Sequence, residues 1–134
     1  MTAEDLYKQC FNQVWPGLEA SYAEKEVELI YQADTGSEQE VQTAPNLLTQ
    51  VISHLLKSAL VQTLRGTEVR ITVGAANQQC VVSIRDHGPG MSSESADKLY
   101  GLQVLHALGV KIQINSRQFI DFPSDHGTRV TVIF

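Results

Sequence analysis

The sequence predicts a two-layer α/β sandwich, with a mixed, mostly antiparallel sheet and its helices on one face. Three observations predict it. Leu48, Val51, Ile52, Leu55, Leu56, Ala59 and Leu60 recur at spacings of three and four, the stripe of a long amphipathic helix. "EVRITVGAA" and "QCVVSIRD" read as two strands joined through "ANQQ", most simply an antiparallel hairpin. The whole order is helix, strand, helix, strand, strand, helix, strand, strand. Consecutive strands after the long helix argue for a mixed or antiparallel sheet.

Each element has a local reason. Thr2 can cap a first helix, with Asp5 three residues on as a short capping box. Leu6, Cys10, Phe11, Val14 and Leu18 share one helical face, and Pro16 and Gly17 disturb that helix near its end. Trp15 and Tyr22 belong to this region and read as packing residues. "EVELIYQAD" alternates Val27, Leu29 and Tyr31 against Glu26, Glu28 and Ile30, which is a strand. "TGSEQEVQTAP" is polar and turn-rich, hence a loop, and the long helix follows Pro45. In the loop "GPGMSSES", Ser92, Ser93 or Ser95 can cap the next helix. That helix covers Ala96 to Leu108, and Gly109 can end it in the left-handed conformation. "VKIQINS" and "TRVTVIF" alternate as strands around the segment "RQFIDFPSDHG". With no repeat, low-complexity tract or linker, residues 1–134 form one domain.

Composition narrows the function. The chain has 134 residues, enough for one real core, and 43% hydrophobic with 19% charged residues is a globular balance. A net charge of −5 presents no basic face to nucleic acid or to an anionic membrane. The apolar runs are far short of a membrane span, and the acidic start "MTAEDLYKQC" is not a secretory signal. Cys10 and Cys80 stand alone in different elements and read as core cysteines, with the cytoplasm as the default compartment.

One short stretch points to chemistry. "IRDHGPGMS" ends a strand on Asp86 and places Gly88 and Gly90 directly behind it. A carboxylate at a pocket mouth accepts hydrogen bonds, for example from an exocyclic amine, and glycines let a flat ligand approach the backbone. Asp86, Gly88 and Gly90 could form the floor of a purine site; these residues alone could equally be a surface turn.

The wider layout resembles the ATP-binding domain of sensor histidine kinases, in the superfamily shared with gyrase, Hsp90 and MutL. "RDHGPGM" is similar to that family's first glycine box, Asp-x-Gly-x-Gly-Ile or Met. "QVISHLLKSALVQT", from Gln50 to Thr63, is similar to its asparagine box, Gln-Val-Leu-x-Asn-Leu-Leu-x-Asn-Ala-x-Lys-Phe-Thr. "HGTRVTVIF" is similar to the closing Gly-Thr strand. The resemblance implies the Bergerat-type ATPase fold, with ATP and Mg²⁺ as ligands. It implies that Asp86 binds the adenine amino group, helped by Thr128, while Gly88 and Gly90 let the loop pass beside base and sugar.

At the phosphate end the sequence departs from the family. The two asparagines of the box are His54 and Ser58 here, and the lysine is Val61. The second asparagine holds Mg²⁺ in the family, and a serine hydroxyl is a shorter, poorer ligand. Helical spacing of four and three puts positions 54, 58 and 61 on one face. The family's long lid, ending in Gly-x-Gly-Leu at a phosphate-binding helix start, is reduced to "MSSESADK". Counting back from Gly109 puts the phosphate glycines near Ser95 and Asp97. Counting forward, the motif would fall on "GLQV" at Gly101, with Gln103 in place of its second glycine and a helix about a turn too short.

The histidines carry no second signal. His54 lacks a partner His or Cys at ligand spacing, and no dimerisation hairpin marks a phosphoacceptor, so it reads as a polar residue at the rim of an emptied pocket. His87, His106 and His126 read as solvated. Two functions follow from the resemblance. The first is a domain of a two-component signalling protein that binds ATP weakly or not at all, with no catalytic residue of its own. It would act through contacts with a histidine-kinase dimerisation domain, a partner kinase or a response regulator. The second is a nucleotide-competent catalytic domain that feeds a histidine on a separate dimerisation domain. A serine-directed switch kinase of the anti-sigma type needs the same phosphate wall and suffers the same losses. The resemblance also implies a module of a longer chain, the cytoplasmic part of a sensor, without direct membrane contact.

Overall fold

A computed structural model describes residues 1–90, 101–117 and 126–134. Helix α1 runs Ala3–Val14, and its cap is the one expected: the Asp5 N–H donates to Thr2 Oγ1 at 3.1 Å. Pro16 then shapes a 3-10 turn at Trp15–Gly17, and the chain restarts as α2, Glu19–Glu24. The first helical region is therefore three pieces. Tyr22 is buried in the third, where its O–H donates to Leu56 O at 2.7 Å. Trp15 closes a row of stacked rings, Tyr31, Tyr7, Phe11 and Trp15, and meets Tyr22 at a tilt.

Strand β1 is Glu28–Ala33, two residues inside the expected start because Glu26 has φ +59°, outside the extended region. Helix α3 is Pro45–Gln62, with proline in the first turn, where its missing N–H costs nothing. Lys25 reaches its far end: Nζ donates to the Leu60 and Val61 carbonyls at 2.7 and 3.2 Å. Strands β2, Glu68–Ala76, and β3, Gln79–Arg85, form the expected hairpin. Asn77 and Gln78 make its turn with φ of +52° and +66°, the twist a two-residue hairpin favours.

Helix α4 is short, Leu102–Ala107, and differs from the expected Ala96–Leu108. Gly101 has φ +56°, so a continuous helix cannot pass through it. The candidate caps Ser92, Ser93 and Ser95, and Asp97, lie outside the described residues. Gly109 ends the helix as expected, with φ +80° and its N–H donating to His106 O. Strands β4, Lys111–Arg117, and β5, Gly127–Ile133, complete a sheet of order β1-β2-β3-β5-β4. Among the described residues only β1 and β2 pair in parallel, across the α3 connection; the other pairs are antiparallel.

The period-two alternation sorts the sheet into two faces. Val69, Ile71, Val73, Cys80, Val82, Ile84, Val130 and Val132 are buried in one cluster with Leu48, Val51, Ile52, Leu55, Leu56 and Ala59 of α3. The helices cover that face, and the opposite one is polar. Both cysteines are reduced and buried, and burial pushes the Cys80 thiol up.

Candidate functional site

The site lies where β3 ends beside the C-terminus of α3 and the start of β5. Asp86 and Thr128 are both fully buried. The Asp86 N–H donates to Thr128 O at 3.0 Å, continuing the β3–β5 ladder one step past β3. Asp86 Oδ1 accepts from the Gly88 N–H at 2.8 Å and from the Thr128 N–H at 3.3 Å. Thr128 Oγ1 in turn lies 2.8 Å from Ser116 Oγ on β4. The structure thus brings Asp86, Gly88 and Thr128 together as the sequence expects.

Close packing explains why two of these positions are glycine. A Cβ on Gly88 would sit 2.3 Å from Gln62 O, the last carbonyl of α3, and 3.1 Å from Asp86 Oδ1. A Cβ on Gly127 would sit 2.1 Å from Asp86 O, and its φ of +138° is a conformation that side chains avoid. Gly90 also has positive φ, +77°. The glycines here let backbone meet backbone.

Two histidines differ from the expectation that they are solvated. His87 donates from Nδ1 to Glu68 O at 2.6 Å, and its N–H donates to Thr63 Oγ1 at 3.0 Å. His126 donates from Nδ1 to Gly88 O at 2.5 Å. Both are half-buried, His87 held by a carbonyl at the start of β2 and His126 by one in the loop after β3. His106 is exposed as expected. Thr63, buried and also 2.7 Å from Thr67 Oγ1, was not singled out by sequence reasoning. Its signal was its place as the last residue of the Gln50–Thr63 block.

The other wall is the flank of α3. His54 and Ser58 are half-buried, and Val61 is 71% exposed. All three stand off the core stripe, as their spacing predicts. His54 packs against the start of α4: a Cβ on Gly101 would lie 3.0 Å from His54 Cε1 and 3.1 Å from Nε2. The wall therefore offers one imidazole, one hydroxyl and one isopropyl group. Among the described residues no three His, Cys, Asp or Glu side chains converge as metal ligands.

Comparison with known proteins matches this layout. The sequence profile of the histidine kinase-, DNA gyrase B-, and HSP90-like ATPases matches residues 43–134. No curated protein sequence matches. Among solved structures, the nucleotide-free catalytic domain of histidine kinase ThkA is similar over 100% of this chain and 93% of its own, with TM-score 0.76 and 17% identity. The Acinetobacter baumannii histidine kinase AdeS is similar over 96% of this chain and 64% of its own, with TM-score 0.69 and 21% identity. ThkA in complex with the response regulator TrrA is similar over 95% of this chain and 39% of its own, with TM-score 0.72 and 16% identity.

Proposed function

The chain belongs to the histidine kinase-, DNA gyrase B-, and HSP90-like ATPase family, and from that premise we propose that it is a two-component ATPase domain with a degenerate phosphate end. It binds ATP weakly or not at all and works through contacts with kinase partners. One observation carries the reading. The face of α3 that in the family meets Mg²⁺ and phosphate presents His54, Ser58 and Val61.

The two ends fit ATP unequally. At the base end a buried carboxylate, Asp86, stands beside Thr128 and Gly88, and an adenine amino group could donate to it. At the phosphate end the donor set does not fit Mg²⁺, which favours several well-placed oxygens; Ser58 supplies one hydroxyl, and His54 is a nitrogen donor. Helix α4, six residues long, gives little helix dipole to hold phosphates. Adenine contacts supply one or two hydrogen bonds worth about 0.5–1.5 kcal/mol each, whereas micromolar binding needs about 8 kcal/mol. The missing share is what Mg²⁺ and the triphosphate would ordinarily provide.

The neighbours support a partner class. A dimerisation domain, a partner kinase or a response regulator would dock on the domain, as a similar kinase fold is seen with a response regulator. Residues 1–134 act as one domain on the cytoplasmic side, without nucleic acid. Among the described residues no helix is long and apolar enough to cross a membrane. Isothermal titration with MgATP tests the proposal. No saturable heat is expected at micromolar ligand, and a micromolar dissociation constant overturns it.

A second reading keeps nucleotide binding, and the intact Asp86 favours it. If the titration does show binding, Asp86→Asn must abolish it. Unchanged binding in that variant would remove Asp86 from the site under either reading.

A further inference from the structure

The polar face of the sheet holds a row of cations. Strand register sets Arg70 opposite Arg85, Arg85 opposite Arg129, and Arg129 opposite Asn115. One line across four strands therefore carries three arginines and an asparagine, in a chain of net charge −5. The next line carries Thr72, Ser83, Thr131 and Gln113. Like charges on paired residues repel, and nearby counter-charge relieves that repulsion. Arg70 has some: Nη2 lies 3.3 Å from Glu68 Oε1, and Nη1 donates to Gln32 at 2.9 Å. Among the described residues no salt bridge involves Arg129.

Arg85, Arg129, Asn115 and Gly127 line a cavity of about 140 Å³. A neighbouring cavity of about 310 Å³ shares Asn115 and Arg129 and adds Gln113, Ile114 and Thr131. The sheet separates both from the cradle, because Asp86 and Thr128 fall on the helix-covered side and residues 85, 127 and 129 on the other.

We propose that these two cavities form a binding site for a small phosphate monoester. The phosphate lies between the guanidinium groups of Arg85 and Arg129, with the Asn115 amide as a further donor. Its polar carrier extends over Gln113 and Thr131. Guanidinium forks match phosphate oxygens two at a time, and two of them with an amide offer more donors than a lone carboxylate can accept. The smaller cavity accommodates a phosphate group, and the larger one, lined by amides and a hydroxyl, suits a hydroxylated carrier.

Amide-detected NMR titration of the whole chain tests this, at constant ionic strength held with chloride. The probes are ribose 5-phosphate, inorganic phosphate and ribose. Saturable shifts at Arg85, Asn115, Gly127 and Arg129 are expected with ribose 5-phosphate, weaker ones with phosphate and none with ribose. Arg129→Gln is expected to lower the affinity about tenfold or more, the worth of one charge-assisted hydrogen bond, and Arg129→Lys by less. An unchanged dispersed spectrum shows that each variant is folded. Shifts that do not saturate, that persist in Arg129→Gln, or that centre on α3 and Gly88 instead would overturn the site. Equal affinity for phosphate and ribose 5-phosphate would overturn the role of the larger cavity.

Discussion

Around Asp86, the carboxylate, Thr128, Gly88 and Gly127 are buried and tied together through backbone amides and close backbone contacts. Along α3, His54 and Ser58 are half-buried and Val61 is 71% exposed. The first region is required by the fold whether or not a nucleotide binds. Replacing Gly88 or Gly127 would push a Cβ into Gln62 O or Asp86 O, and replacing Asp86 would strand two buried N–H groups. The second region carries little folding load, so its residues are free to follow function. A retained glycine box is therefore weak testimony for ATP binding, and the proposed function rests on the wall of α3.

The largest effect that could break this contrast is at Gly127. Gly127→Ala combines a 2.1 Å clash with a φ of +138° and is expected to cost more than about 3 kcal/mol in urea unfolding. A loss below about 1 kcal/mol would mean that the corner is not locked as described. Next comes Thr63→Val, which leaves the His87 N–H without its acceptor and is expected to cost about 1–3 kcal/mol.

The core beneath the site sharpens the comparison through pH. Burial pushes the phenols of Tyr7 and Tyr22 well above their ordinary range, and the neighbouring tyrosines add to the shift at Tyr7. A phenol with a raised folded pKa contributes stability that is present below the unfolded value, about 10, and lost as pH rises through the folded value. Urea stability is expected to hold steady to about pH 9–10 as far as these phenols act, then fall. A Tyr22→Phe variant, lacking the bond to Leu56 O, is expected to lose about 1 kcal/mol at neutral pH and to fall less steeply in alkali. An alkaline limb unchanged by that substitution would show that Tyr22 is not one of the groups responsible.

The smallest stability effect belongs to the wall. The double variant Ser58→Asn, Val61→Lys is expected to change stability by less than about 0.5 kcal/mol, as partly exposed positions do. It is also expected not to restore phosphotransfer to a kinase dimerisation domain, since α4 stays six residues long. Recovered phosphotransfer would contradict the degenerate reading.

Much of this was legible before any coordinates. The α3 stripe, the Thr2 cap, the β2–β3 hairpin and the Gly109 stop all rest on local rules, and each stands where expected. The placement of His54, Ser58 and Val61 off the core stripe was equally readable from helical spacing. The break at Gly101 was missed because one glycine inside an apolar period does not announce its φ. The engaged histidines were missed because their acceptors, Glu68 O for His87 and Gly88 O for His126, lie 19 and 38 residues away.

By itself, then, the sequence determined which segments are helices and strands and which side of each is apolar, because side-chain direction follows the backbone repeat of a few residues. Only the tertiary structure decided what surrounds Asp86. The Thr128 amide that binds its carboxylate comes from 42 residues away, and the Thr63 hydroxyl that holds His87 from 24. It also decided that four arginine-bearing or amide-bearing strands would line up on one open face, since strand order and register depend on long-range pairing that no local period encodes.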